Sequence, residues 1–136
     1  MSDLRSAIDV AATGMRAQSE RMKIVAQNIA NADSVGASPN QDPYRRQTIT
    51  FKNEYDRAVG AEVVMVAKRS VDPSPFGYKY QPGHPAADEH GYVRTPNVDS
   101  LIEKADLKEA QRSYEANLAV IEATKSMLGR TLDLLR

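Results

Sequence analysis

Residues 3–31 read DLRSAIDVAATGMRAQSERMKIVAQNIAN, and the spacing of their apolar side chains decides the fold. Leu4, Ile8, Ala11, Met15, Met22, Val25 and Ile29 follow one another at steps of four and three, with Gln18 filling the one polar place in the series. Such alternation puts every member on one face of a helix and defines a heptad seam. Ala7, Ala12, Ala26 and Ala30 flank the seam, and only Gly14 weakens the helix from within. Beyond Asn31 the chain turns to Asp33, Ser34, Gly36, Ser38, Pro39, Asn40 and Pro43, residues that stop a helix and build a loop.

A second seam lies at the other end of the chain. Leu107, Gln111, Tyr114, Leu118, Ile121, Lys125, Leu128, Leu132 and Leu135 again alternate steps of four and three, with Val120, Met127 and Leu134 widening the apolar face. Pro96 precedes this helix, Asn97 or Asp99 can cap it, and Ser100-Leu101-Ile102-Glu103 has the form of a capping box. Gly129 costs a helix interior about 1 kcal/mol relative to alanine, so it marks either a close contact or mere tolerance. If the two helices pair antiparallel, matching Gln18 with Lys125 also brings Met15 to Leu128, Met22 to Ile121, Val25 to Leu118 and Ile29 to Tyr114. In that register every apolar residue has an apolar partner, and a polar pair in the seam fixes the alignment. The competing reading points each polar group at solvent or a neighbouring subunit.

Between the seams the signals change. Thr48-Ile49-Thr50-Phe51 alternates polar and apolar, and residues 61–71 are rich in β-branched side chains, as in one strand of a hairpin. Residues 72–96 hold five prolines and three glycines and read as an irregular, extended loop. The expected fold is mainly α, with two long terminal helices packed as an antiparallel coiled coil around a small β or irregular middle module. The expected divisions are 1–34, 35–96 and 97–136.

Composition narrows the function. Leu, Ile, Val and Phe together supply 27 of 136 residues, whereas alanine supplies 18 and tryptophan none. Such a chain builds a modest core in isolation and gains stability from neighbours. Eighteen basic and 18 acidic residues leave no net charge, which argues against a nucleic-acid or anionic-lipid binder. No apolar run is long enough to span a membrane, and residues 1–6 lack the features of a secretory signal. Without cysteine there is no disulfide, thiolate metal site or cysteine nucleophile. His84 and His90, with Asp88 and Glu89 between them, lie in the Pro/Gly-rich stretch without the spacing that would aim them at one ion. Arg45-Arg46 and Lys68-Arg69 read as surface or interface charge balanced by nearby acids. No catalytic constellation or phosphate loop is present, and no cofactor is expected.

Ala11-Ala12-Thr13-Gly14-Met15-Arg16-Ala17-Gln18 and Val25-Ala26-Gln27-Asn28-Ile29-Ala30-Asn31-Ala32-Asp33 resemble the signature of bacterial flagellar rod and hook proteins. Pro43-Tyr44-Arg45-Arg46-Gln47, Gly91-Tyr92-Val93-Arg94-Thr95-Pro96-Asn97-Val98 and Arg112-Ser113-Tyr114-Glu115-Ala116-Asn117, at this short length, are similar to the proximal-rod members of the basal-body rod family. The matching motif residues include Gly14, Gln27, Asn28, Asn31, Tyr44, Arg45, Arg46, Pro96 and Asn97. Ile102-Glu103-Lys104-Ala105 departs from the family's text. The resemblance implies a non-enzymatic subunit of the periplasm-spanning rod, exported uncleaved by the flagellar type III apparatus and assembled helically to transmit torque. Its implied partners are further copies of itself, other proximal and distal rod proteins, the rod-base adaptor and the export apparatus. Two rival classes are a soluble enzyme or ligand-binding domain, which needs a pocket of converging titratable groups, and a cytoplasmic coiled-coil adaptor, which would form a closed dimer.

Overall fold

In the computed structural model, residues 2–136 are described. Helix α1 covers Ser2–Ala30 and helix α2 covers Ser100–Leu134. Between them come strands β1 (Gln47–Asp56), β2 (Ala61–Val71), β3 (Gly77–Tyr80) and β4 (Tyr92–Thr95), forming two sheets of two strands each, β1–β2 and β3–β4. The β1–β2 hairpin follows the alternation and β-branched content of its sequence. The β3–β4 hairpin corrects the expectation of an irregular loop over 72–96. It pairs antiparallel with Gly77 opposite Thr95 and Tyr80 opposite Tyr92, whose rings meet edge to face at 5.2 Å. The prolines lie outside these strands, at places where no ladder donor is needed, and Gly91 (φ 85°) provides the left-handed residue just before β4.

The chain forms two compact units. One comprises residues 1–22, 50–68 and 108–136; the other comprises 23–49 and 69–107. In the first unit the two helices run antiparallel. A side chain added at Gly14 would lie 2.9 Å from the Asn117 amide, and Arg21 pairs with Glu109 at 3.5 Å. The residue numbers of these partners add to 131 and 130. The expected Gln18–Lys125 register would give 143, so it is incorrect. Lys125 instead faces a space bounded by Arg5, Ser6, Ile8 and Asp9. Those residues lie nine or more positions from Gln18, about 13 Å along α1 and more than two turns.

The reason is the size of the residues at the closest approach. In α1 the buried line passes through Ala11, Gly14 and Ala17, and in α2 through Ala110 and Thr124. The expected α1 seam is buried or half-buried throughout, whereas only part of the expected α2 seam turns inward. Along α2, Leu107, Tyr114, Ile121 and Leu128 keep their inward places, but the intervening column is Ala110, Asn117 and Thr124 rather than Gln111, Leu118 and Lys125. Small residues let the backbones come together and form more van der Waals contact, and that gain rotates the larger apolar residues outward. Thr124 loses nothing by burial, because its hydroxyl donates to the Val120 carbonyl one turn earlier. Gly129 has nothing within 4 Å of an added methyl group, so no close contact within this chain accounts for it. The β1–β2 hairpin is tied to α1 twice: the Ser6 hydroxyl donates to the Val59 carbonyl at 2.8 Å, and the Val64 amide donates to the Thr13 hydroxyl at 3.2 Å.

Candidate functional site

The second unit closes around a buried polar cluster rather than an apolar one. Asn28, near the end of α1, and Glu103, in the first turn of α2, are each only 1% exposed. Asn28 uses its whole hydrogen-bonding capacity. Its amide nitrogen donates to the Gln47 carbonyl at 2.9 Å and to Glu103 Oε2 at 3.3 Å, while its oxygen accepts from the Tyr44 hydroxyl at 2.7 Å and the Gln47 amide at 2.9 Å. The other carboxylate oxygen of Glu103 accepts from Arg46 Nε in a close ion pair. Arg46 Nη1 reaches Asp72 at 3.2 Å. Among the described residues no buried side-chain nitrogen or oxygen lacks a partner, which is the condition under which a buried ion pair is tolerated.

Asn97 joins the loop segments. Its Oδ1 accepts from the Arg46 amide at 2.7 Å, and its Nδ2 donates to the Asp72 and Ser74 carbonyls at 3.0 and 3.1 Å. Arg45 donates to the same two carbonyls and lays its guanidinium over the Phe76 ring at 4.2 Å. Asn31 closes the end of α1, donating to the Gln27 carbonyl at 2.9 Å and accepting from the Ser34 hydroxyl at 3.0 Å. Pro96 is buried beside this cluster's chain segment, whereas the Gln27 side chain is exposed. Most of the motif residues thus meet in one place, with Gly14 apart in the helix pair.

Electrostatics follow from these contacts. Hydrogen bonding to Glu103 holds the Arg46 guanidinium even more firmly protonated than usual. Burial, then the Glu103 charge, pushes the Tyr44 hydroxyl above its ordinary value. The Ser74 hydroxyl and amide, with a smaller contribution from Arg46, hold the Asp72 carboxyl below its ordinary 3.8.

Sequence reasoning missed Glu103 and Asp72. Glu103 does not serve the expected capping box: its carboxylate turns inward to Arg46, and Asp99 caps α2 by accepting from the Leu101 amide at 3.0 Å. Asn97 does not cap. Arg45 and Arg46 are not free surface charge, because each is held by carbonyls, carboxylates or an aromatic face. An acidic residue within an otherwise apolar first turn, Leu101-Ile102-Glu103, was the available signal. His84 is engaged locally, its Nδ1 accepting from the Ala86 amide, and no group of three or more potential metal ligands occurs among the described residues. Nor is any helix among them long and apolar enough to cross a membrane.

The second feature of interest is what the helix pair leaves uncovered. Leu101, Ile102, Leu118, Val120, Met127, Leu132, Leu134 and Leu135 are all exposed on or at the end of α2. Isolated exposed leucines are ordinary; these eight residues, on more than one side of α2, leave a large apolar area uncovered.

Comparison with known proteins gives the family. Residues 8–37 match the family model for flagella basal body rod proteins, and residues 89–134 match that for the C-terminal region of the flagellar basal body rod FlgEFG proteins. The chain is 50% identical over 136 residues to the flagellar basal-body rod protein FlgC of Agrobacterium fabrum, covering 100% of this chain and 98% of that one. It is 41% identical over 131 residues to FlgC of Yersinia enterocolitica and 39% identical to FlgC of Salmonella typhimurium, in each case covering 96% of this chain and 97% of the relative. With such identity running the length of both sequences, the chain belongs to the FlgC family of flagellar basal-body rod proteins, structural subunits of the basal body and not enzymes.

Proposed function

We propose that this subunit assembles helically in the proximal rod through its terminal helices and passes torque from motor to hook. The observation that carries this reading is the set of large apolar residues on α2 that the intrachain helix pair leaves exposed. A subunit that joins the next one head to tail, through two different patches, builds an open array and not a closed ring. Uncovered apolar area on a helix is what such a joint requires, at about 25 cal/mol for each Å² buried. In this reading the helix pair acts as a short antiparallel coiled coil, with residues 1–34 and 97–136 forming the rod wall and 35–96 a lateral module. The residues of both seams, from Leu4 to Ile29 and from Leu107 to Leu135, divide between the partner helix and neighbouring subunits.

The partners are further copies of this chain, other proximal and distal rod proteins, and the adaptor at the rod base. Export proceeds through the flagellar type III apparatus without a cleaved signal, into a rod that spans the periplasm. A core built largely from alanine suits passage of an unfolded chain, with folding completed on assembly.

Leu118→Asp and Leu128→Asp test the reading. Each puts a carboxylate where assembly would bury it unpaired, at a cost of several kcal/mol. Both variants are expected to be absent from isolated rods and to abolish swimming, with Leu118→Asp retaining the helical circular dichroism of the purified chain. Normal incorporation of both, with motility intact, would refute assembly through these faces.

A further inference from the structure

A groove in the first unit is lined by Thr13, Ala17, Val63, Val64, Met65 and Val66, with a volume of about 410 Å³. Arg16, Glu20 and Asp56 also line it. Its walls are largely apolar because a stretch of α1 with small side chains and consecutive residues of β2 come together there. At the far end of α2 lies a segment of opposite character, Arg130-Thr131-Leu132-Asp133-Leu134-Leu135-Arg136. Leu132, Leu134 and Leu135 are 49%, 86% and 74% exposed.

The helix register explains that exposure. Partners whose numbers add to about 131 place residues from 130 onward beyond Ser2, the first described residue of α1. The last turn of α2 therefore has no described α1 residue opposite it. The groove beside residues 13–20 lies at least 11 residues further along α1, about 16 Å at the helical rise. A chain cannot fill its own groove with its own α2 end while the helix pair stays intact.

We propose that the 130–136 segment of one copy of this chain docks in the groove of the next. The charges match. The groove carries one base, Arg16, and two acids, Glu20 and Asp56; the segment carries one acid, Asp133, and two bases, Arg130 and Arg136. Leu134 and Leu135 enter the apolar floor, Asp133 meets Arg16, and an arginine of the segment meets Asp56. Hydrophobic anchors inside a rim of complementary charge give an interface both affinity and register. Because knob and groove are different surfaces of one molecule, the contact repeats without closing. The inference rests on the proposed head-to-tail assembly in the rod and names the two patches that meet.

The absence of native cysteine makes the contact testable by cross-linking. Cells producing Val66→Cys and Leu134→Cys subunits together are expected to yield a disulfide-linked dimer on mild oxidation, and a chain carrying both substitutions a ladder of higher species. Rods that contain both subunits and support swimming, yet give no linked species, would overturn the docking while leaving rod assembly standing. Isolated rods lacking the chain altogether would instead overturn the assembly reading. Charge reversal provides a second test. Arg16→Glu and Asp133→Arg, singly, are expected to lower incorporation about tenfold, and the double variant to restore it to within about twofold of wild type. A double variant no better than the worse single would also overturn the contact.

Discussion

Glu103 illustrates how much one side chain can organise when it is buried. Its carboxylate has Arg46 on one oxygen and Asn28 on the other, so the start of α2, the end of α1 and the loop before β1 share a single charged centre. Removing only one partner leaves an uncompensated charge. Arg46→Ala is therefore expected to destabilise the chain by about 3–5 kcal/mol, read from urea unfolding followed by tyrosine fluorescence. The double variant Arg46→Met with Glu103→Leu is expected to lose much less, because the buried Glu103 charge is then gone and Asp72 keeps its bonds from Ser74. Equal losses in the two would contradict a coupled pair. Asp72 adds a pH dependence. Its folded value lies below the ordinary 3.8, so its contribution is complete at neutral pH and disappears as pH falls through that lowered value. The stability difference between wild type and Asp72→Asn is expected to shrink between about pH 5 and pH 3. A difference that stayed constant over that range would show that the carboxylate is not held by Ser74 and Arg46.

The helices show how residue size overrides apolar spacing. Gly14 and Asn117 face one another because neither blocks the approach of the backbones, and a Cβ at Gly14 would press on the Asn117 amide. Gly14→Leu is expected to force the helices apart and cost about 1–3 kcal/mol, measured as a lower thermal midpoint of the purified chain. Gly129 gives the opposite expectation. Open space surrounds it, so Gly129→Ala is expected to add about 1 kcal/mol of helix stability. A stabilised chain that no longer enters rods would place a neighbouring subunit against Gly129; unchanged incorporation would mean the position is simply permissive.

For the whole molecule, stability and assembly are linked by what one chain leaves uncovered. The core contains alanine, valine and a polar cluster, while leucines and methionine along α2 stay in solvent. Amides of residues 130–135 are expected to exchange freely in the isolated chain and to become protected on incorporation, since only a neighbour covers them. Full protection in the isolated chain would contradict that account. In the first unit, residues around Ala11 and Ala17 are expected to be protected in both states, because the helix pair and the β1–β2 hairpin bury them within the chain.

Sequence determined the elements, because helix and strand periods are local properties that hydrophobic spacing reports directly. The long terminal helices, the β1–β2 hairpin and the family motifs were all legible there. Helix register was not, because both 131 and 143 bring apolar residues together and only the fit of Gly14, Asn117 and their neighbours decides between them. The β3–β4 hairpin escaped notice because its short strands, Gly77–Tyr80 and Tyr92–Thr95, pair across eleven intervening residues of turn-forming sequence. The inward turn of Glu103 escaped for a similar reason. A carboxylate in a first helical turn reads as a cap until Arg46, 57 residues away in sequence, is brought beside it. Local free-energy preferences fix what each segment becomes, while packing of distant surfaces decides which face is buried, which charge finds a partner, and which leucines remain for the next subunit.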